Sequence, residues 1–244
     1  MDERLKCIGD YWTQRSSGFS DYMNEHMEEE LGKPYYRILK EVSTGCALKV
    51  LDIGCGPGVA SMFLAELNND VTAIDWSEGM IECASKNSVD KGFEINFLKM
   101  NAQELEFGDE SFDLVISSRL VWNLPDPLRA YSEWLRVLKR GGTIVLYDGN
   151  YFLRKDSEED SEPEDESPNM YQGADFNIIR NLAKILPLSK EARPAWDVDA
   201  LVRLGADKLY LEVESWRPVD ENGLSIPSTF VIKASKPLGE RTND

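Results

Sequence analysis

The sequence predicts an α/β fold of the doubly wound kind, with helices on both faces of a mostly parallel sheet. Three observations carry this expectation. Val50-Leu51-Asp52-Ile53 runs straight into Gly54-Cys55-Gly56-Pro57-Gly58, and a helical period opens at Val59. Short apolar runs then alternate with helical segments as far as Tyr147. An acid, Asp75, closes the second of those runs twenty-one positions after Gly54.

The glycine stretch reads as a buried strand, a tight turn free of Cβ atoms, and a helix whose N-terminus points back at whatever the turn cradles. A ligand-free strand–turn–helix corner is the plainer alternative. A dinucleotide loop has the frame G-x-G-x-x-G. Here Gly54, Gly56 and Gly58 alternate, and Val59 stands where the third glycine of that frame would be. The loop departs from the NAD pattern.

Composition narrows the function classes. The 244 residues suit one domain, and 42% hydrophobic content supports an ordinary core. No apolar run approaches the roughly 20 residues of a membrane span. Met1-Asp2-Glu3-Arg4-Leu5-Lys6 has no apolar signal-peptide core, so a cytoplasmic location and no membrane partner are expected. Cys7, Cys46, Cys55 and Cys83 lack C-x-x-C spacing, and His26 is the one histidine, so no metal site and no Ser-His-Asp triad is expected. A net charge of −17 opposes a phosphate backbone, so no nucleic-acid partner is expected.

The elements follow in order. Residues 2–41 read as helices, in which Tyr11, Trp12, Arg15, Phe19, Tyr22 and Met23 recur at helical spacing. That stripe packs on the core, closes over a ligand, or does both. Val59, Met62, Phe63 and Leu67 continue a helix after the glycine turn. Val71–Ile74 is a strand ending at Asp75, which is placed either for ribose hydroxyls or as a helix-entry residue. Trp76 offers an aromatic face for a base, and Ser77 an N-cap for a helix through Met80, Ile81 and Ala84. Ile95–Met100 and Leu114–Ser118 are strands. Asp126 and Pro127 start a helix expected to bury Leu128, Tyr131, Leu135 and Leu138 and to stop at Gly141-Gly142. Thr143–Tyr147 is the next strand.

Beyond residue 150 the pattern loosens. Eight of the eleven residues from Asp156 to Glu166 are acidic, a run that cannot collapse on itself and reads as a solvated loop. Ile178, Leu182, Ile185 and Leu186 mark an amphipathic helix, read as an inserted substrate cover. Asp197 is expected to cap a helix through Val198, Leu201 and Val202, ending at Gly205. Residues 208–215 and 229–233 supply two further strands. The parts are therefore a helical cap (1–45), a cofactor half (46–150), a variable insertion (151–195) and a closing helix with two strands (196–236).

As a set, these residues resemble the class I S-adenosylmethionine-dependent methyltransferases. Asp52 with Gly54-Cys55-Gly56-Pro57-Gly58 is similar to their acid-then-G-x-G-x-G motif, and Tyr11-Trp12-Thr13-Gln14-Arg15 to their Y-W-D-x-R cap, with Thr13 in place of the acid. Asn101-Ala102-Gln103 resembles the D-A-x loop at the adenine edge, and Phe107-Gly108-Asp109-Glu110-Ser111-Phe112-Asp113 the F-x-D-x-S-F-D segment. The likeness is close over about a hundred residues. It implies a seven-stranded sheet in the order 3-2-1-4-5-7-6, the last strand antiparallel, and S-adenosylmethionine as cofactor. It implies contacts to that cofactor from Tyr11, Arg15, Asp52, Gly54, Cys55, Gly56, Gly58, Asp75, Trp76, Asn101, Ala102, Gln103 and Arg119, with Arg15 toward the methionyl carboxylate.

Methyl transfer from a sulfonium is an in-line displacement with no obligatory enzyme nucleophile, so the protein aligns the reactants and excludes water. A small-molecule acceptor is expected. Trp122 and Asn123, and Asp148, Asn150 and Tyr151, are candidates for its side of the site. Asp148 is either a base or anchor, or a turn residue before Gly149. Rival readings are a cofactor-binding regulator without turnover and an NAD-dependent oxidoreductase, the latter opposed by the glycine frame.

Overall fold

Strand-forming residues with both faces apolar fill the centre of the chain, and the computed structural model assembles them into one seven-stranded sheet, β3-β2-β1-β4-β5-β7-β6. It describes residues 2–45, 47–153, 173–218 and 225–239. The strands are β1 (Lys49–Ile53), β2 (Asp70–Asp75), β3 (Asn96–Lys99), β4 (Phe112–Ser118), β5 (Leu138–Gly149), β6 (Asp207–Pro218) and β7 (Ser225–Ser235). The first five pair in parallel. β7 runs antiparallel between β5 and β6. This is the order and direction that the resemblance implied.

Alternation along the inner strands assigns the two cores. Leu51, Ile53, Val115, Ile144 and Leu146 meet Tyr131 and Trp134 of α6 (Pro127–Val137) and Leu201 of α8 (Ala195–Arg203). Their neighbours Val50, Leu114, Ile116 and Val145 face the other way, against α3 (Pro34–Ser43) and α4 (Val59–Glu66). The remaining helices are α1 (Glu3–Glu25), α2 (Met27–Leu31), α5 (Glu78–Asp90) and α7 (Phe176–Ala183). Among the described residues no helix is long and apolar enough to cross a membrane.

The helix starts follow their caps. Asp126 accepts from the Arg129 N–H at 3.0 Å, and Ser77 from that of Met80 at 3.1 Å. Four expectations change. Helix α6 ends at Val137, not at Gly141, because Leu138 pairs with Phe112 and is fully buried in β5. Leu128 is 48% exposed, because the inward face of α6 starts from Pro127 and continues through Ala130, Tyr131 and Trp134. In α7 the buried residues are Ile179, Leu182 and Ala183, while Ile178 and Ile185 are exposed. Both phases have helical spacing, and contact with α1 and Trp122 selects the second. Asp197 lies inside α8 and is fully buried, because Arg193 and Tyr131 engage its carboxylate. The acidic run 156–166 and Cys46 lie outside the described residues.

α1 lies across the carboxyl edge of the sheet and is tied to the α5 side of it. The Trp76 indole donates to the Leu5 carbonyl at 3.0 Å, and the Asn87 amide to Ser20 Oγ at 3.0 Å. Thr13, where the resemblance has an acid, shares a 2.9 Å hydrogen bond with the Ser77 hydroxyl that caps α5. Strand order reverses between β1 and β4, which opens a crevice at their carboxyl ends beneath α1.

Candidate functional site

The crevice is a cavity of about 930 Å³, and its floor is the glycine turn. Gly54 and Gly56 line it with φ of +71° and +52°, backbone that L side chains rarely adopt. A Cβ on Gly54 would sit 2.7 Å from Leu120 Cδ2, so a side chain here would have to displace Leu120 as well as strain the backbone. Gly58 does not line the cavity. Its φ is +86°, and an added Cβ would meet the Ala84 Cβ at 3.2 Å, so this glycine serves the packing of the turn against α5.

Asp75, at the end of β2, holds the turn in shape. Its Oδ2 accepts from the Gly56 N–H at 3.0 Å and its Oδ1 from the Ser77 N–H at 2.9 Å. Each carboxylate oxygen has a second lone-pair direction, and the side chain lines the cavity. Burial raises its pKa, and the backbone donors oppose that rise. Asp52 is buried deeper. Ser61 Oγ donates to it at 2.5 Å, and burial pushes its carboxyl up to about 7.

Trp76, Asn101 and Ala102 line the side of the cavity beyond Asp75. Gln103 does not line it: Asn101 Oδ1 accepts from the Gln103 N–H, and the Gln103 side-chain oxygen accepts from the Asp126 N–H. It braces the loop. From above, Arg15 enters with its guanidinium 5.0 Å from the Trp12 ring and 5.2 Å from the Phe19 ring. Tyr11 is turned away from the cavity and packs with Ile8, Trp122, Ile179 and Leu182, because its face of α1 meets α7.

On the far side stand Arg119, Trp122 and Asn123. Arg119 has a φ of +55° and donates to both oxygens of Glu30, at 3.0 and 2.7 Å. Burial opposes ionisation of Glu30, but Arg119 and Lys33 hold its carboxyl below the usual range. Glu30 sits in the run Glu28-Glu29-Glu30, so spacing alone gives no sign of its role. The Trp122 indole donates to the Arg119 carbonyl at 2.8 Å, and its ring contacts Tyr151 and Phe152. Asn123 is 3% exposed and lines the cavity, and its Oδ1 has no hydrogen-bond partner.

Asp148 is not positioned as a base. It is 1% exposed, does not line the cavity, and accepts from the Val121, Trp122 and Gly149 N–H groups. Arg193 Nη1 lies 3.0 Å from it, and Arg193 also bonds Asp197. This buried triad fixes the turn that carries Trp122 and Asn123. Asn150 stands behind the wall too, donating to the Arg193 and Pro227 carbonyls at 2.7 Å each.

Known proteins resemble this chain in part of its sequence and in its fold. Residues 51–146 match the family described as a methyltransferase domain. A demethylmenaquinone methyltransferase of Clavibacter sepedonicus is 38% identical over 98 residues, which are 40% of this chain and 40% of that protein. A phosphatidylethanolamine N-methyltransferase of Cereibacter sphaeroides is 38% identical over 108 residues, 43% of this chain and 52% of that one. The chain thus matches about half or less of the length of these relatives. The fold resembles a phosphoethanolamine N-methyltransferase 2 of Haemonchus contortus solved with phosphomonomethylethanolamine and S-adenosylhomocysteine, with a TM-score of 0.60 at 17% identity over 83% of this chain and 52% of that one. The matched segment contains the glycine turn, Asp75 and Asn101 on one side of the cavity and the residues after β4 on the other. The segment 51–146 is thus similar to methyltransferase domains, and the sheet around it resembles theirs in fold.

Proposed function

We propose that this protein transfers a methyl group from S-adenosylmethionine to a small-molecule acceptor. One observation supports this most directly: a single cavity joins a glycine turn with a strand-end carboxylate on one side to an aromatic wall on the other. Its volume of about 930 Å³ lies at the upper end of the ~300–1,000 Å³ range of small-molecule sites, which leaves room for cofactor and acceptor together. The methyltransferase relatives support the same reading.

In this reading Asp75 holds the ribose hydroxyls, and Gly54, Cys55 and Gly56 let the ligand approach the backbone. Trp76, Asn101 and Ala102 surround the adenine, and Arg15 meets the methionyl carboxylate as a charge-assisted pair. When bound, the cofactor supplies an electrophilic methyl group on its sulfonium and leaves as the thioether. Trp122, Asn123 and Tyr151 hold the acceptor, and α1 with α7 keeps water out. Burial raises the Tyr151 hydroxyl well above its ordinary pKa, so it remains a proton donor there and not a base.

Calorimetry tests the assignment. S-adenosylhomocysteine is expected to bind with micromolar affinity and NAD not at all, and a screen of amines, thiols, phenols and carboxylates is expected to release S-adenosylhomocysteine with at least one. Binding of NAD in its place would overturn the reading. Cofactor binding without turnover on any acceptor would favour a regulator instead.

A further inference from the structure

The chain carries a net charge of −17, yet one end of the cavity is basic. On α7 and at its C-cap, the residues lining the cavity are Phe176, Ile179, Arg180, Ala183 and the cap Lys184, spaced as one helical face. The turn after α7 adds Ser189 and Lys190 to the same lining. Among the described residues, the carboxylates that line the cavity lie elsewhere: Glu30 on α2, Asp52 on β1 and Asp75 on β2. Glu30 is engaged by Arg119 and Lys33, and the two aspartates belong to the glycine-turn side. Among the described residues, the acceptor end of the cavity therefore has cations and no lining acid.

Below these cations the wall is aromatic. Phe152 lies 5.0 Å from Trp122 and 6.3 Å from Phe176, ring centre to ring centre, with interplanar angles of 30° and 26°. Two hydroxyls of this region that line the cavity, Tyr151 Oη and Ser189 Oγ, are buried without a hydrogen-bond partner. Such groups are costly in a dry site and gain when a ligand oxygen meets them.

We propose that the methyl acceptor is a flat, largely apolar molecule bearing an anionic group, a carboxylate or a phosphate, that lies against the Lys184–Lys190 end while its ring stacks on the Trp122–Phe152 wall. The proposal rests on the methyltransferase reading for the word acceptor, but not for the binding site itself. Among the described residues, a cation at this end would meet like charge and find no lining carboxylate to pair with.

The test uses phenols and thiophenols that differ only in one ring substituent: carboxylate, phosphate, carboxamide or quaternary ammonium. Their affinities for the full chain are measured by calorimetry, with and without saturating S-adenosylhomocysteine. The carboxylate or phosphate member is expected to bind at least tenfold more tightly than the carboxamide, and the ammonium member least tightly. In the Lys184→Glu/Lys190→Glu double variant that preference should vanish or invert, with the carboxamide affinity within twofold of the parent's. The same series is run on a variant in which the eight acids of 156–166 are amides, as a control for the charge of that run. Equal or inverted ranking in both parent and amide variant would overturn the proposal, as would a preference untouched by the double charge reversal. Carboxylate and phosphate arms together show which anion is preferred. Binding of S-adenosylhomocysteine, titrated first, reports on the proposed function separately, since the ranking can be read without cofactor.

Discussion

The two ends of the cavity are built differently. The glycine-turn end is made by backbone: Gly54 and Gly56 at positive φ, and a carboxylate whose two oxygens accept backbone N–H groups. Its parts lie close in sequence, from β1 to the residues after β3. The opposite end is made by side chains from distant segments: Trp122 after β4, Tyr151 and Phe152 after β5, and the inner face of α7. The difference teaches how each end is held. The first depends on local conformation and tolerates few substitutions. The second depends on a buried ion triad that anchors its loop. The matched segment 51–146 includes nearly all of the first end and little of the second.

The largest expected effect comes from breaking the triad. Arg193→Ala leaves Asp148 and Asp197 as buried carboxylates without their cation and should cost about 3–5 kcal/mol of stability in urea unfolding. A loss under about 1 kcal/mol would show that this end of the cavity does not depend on it. Asp75→Ala tests the opposite end. It should weaken S-adenosylhomocysteine binding by about 1–3 kcal/mol in calorimetry, and unchanged affinity would remove the ribose assignment.

The glycines sharpen the comparison within the backbone-built end. Gly58→Ala should lower stability by about 1–2 kcal/mol through its left-handed backbone, with cofactor affinity unchanged in a folded sample. A Kd raised tenfold would return Gly58 to the cavity wall. For Asp52, burial raises the pKa from 3.8 to about 7 in the folded state. Between those values the unfolded chain has lost the proton that the folded chain keeps, so stability falls as pH rises. The slope attributable to this group is at most about 1.4 kcal/mol per pH unit. Asp52→Asn should show a shallower decline from pH 4 to 7 than the parent, and an equal decline would mean that Asp52 ionises normally. At the small end, Leu128→Ala should change stability by less than about 0.5 kcal/mol, against about 2–5 kcal/mol for Leu135→Ala on the same helix. Equal losses would place Leu128 inside after all.

Much of the first end was legible in the chain because local rules govern it. Alternating glycines, a strand-end acid at the right interval and an N-cap serine each constrain the backbone nearby, and all three took the conformation expected. Thr13 shows a finer point: a departure from the resembled motif holds a hydrogen bond to the cap of α5. Glu30 and Arg193 were not legible, since a glutamate in an acidic run and an arginine beside a proline look like surface residues. Asp148 left two readings open for a related reason. It lies at the end of β5 where a ligand group would stand, but its carboxylate turns to the N–H groups of Val121, Trp122 and Gly149 and to Arg193, forty-five positions on.

The sequence by itself determined the strands, their alternation of faces, the glycine turn and the sheet order implied by its resemblance, because these follow from backbone sterics and from apolar period. Only the tertiary structure decided the rotation of α7, where Ile178 and Ile179 satisfy the same period and packing against α1 buries the second. It likewise decided which carboxylates meet arginines and which face the cavity. Period fixes how often an apolar residue returns to one face, but the choice of face and partner is made by surfaces that come together only when the chain has closed.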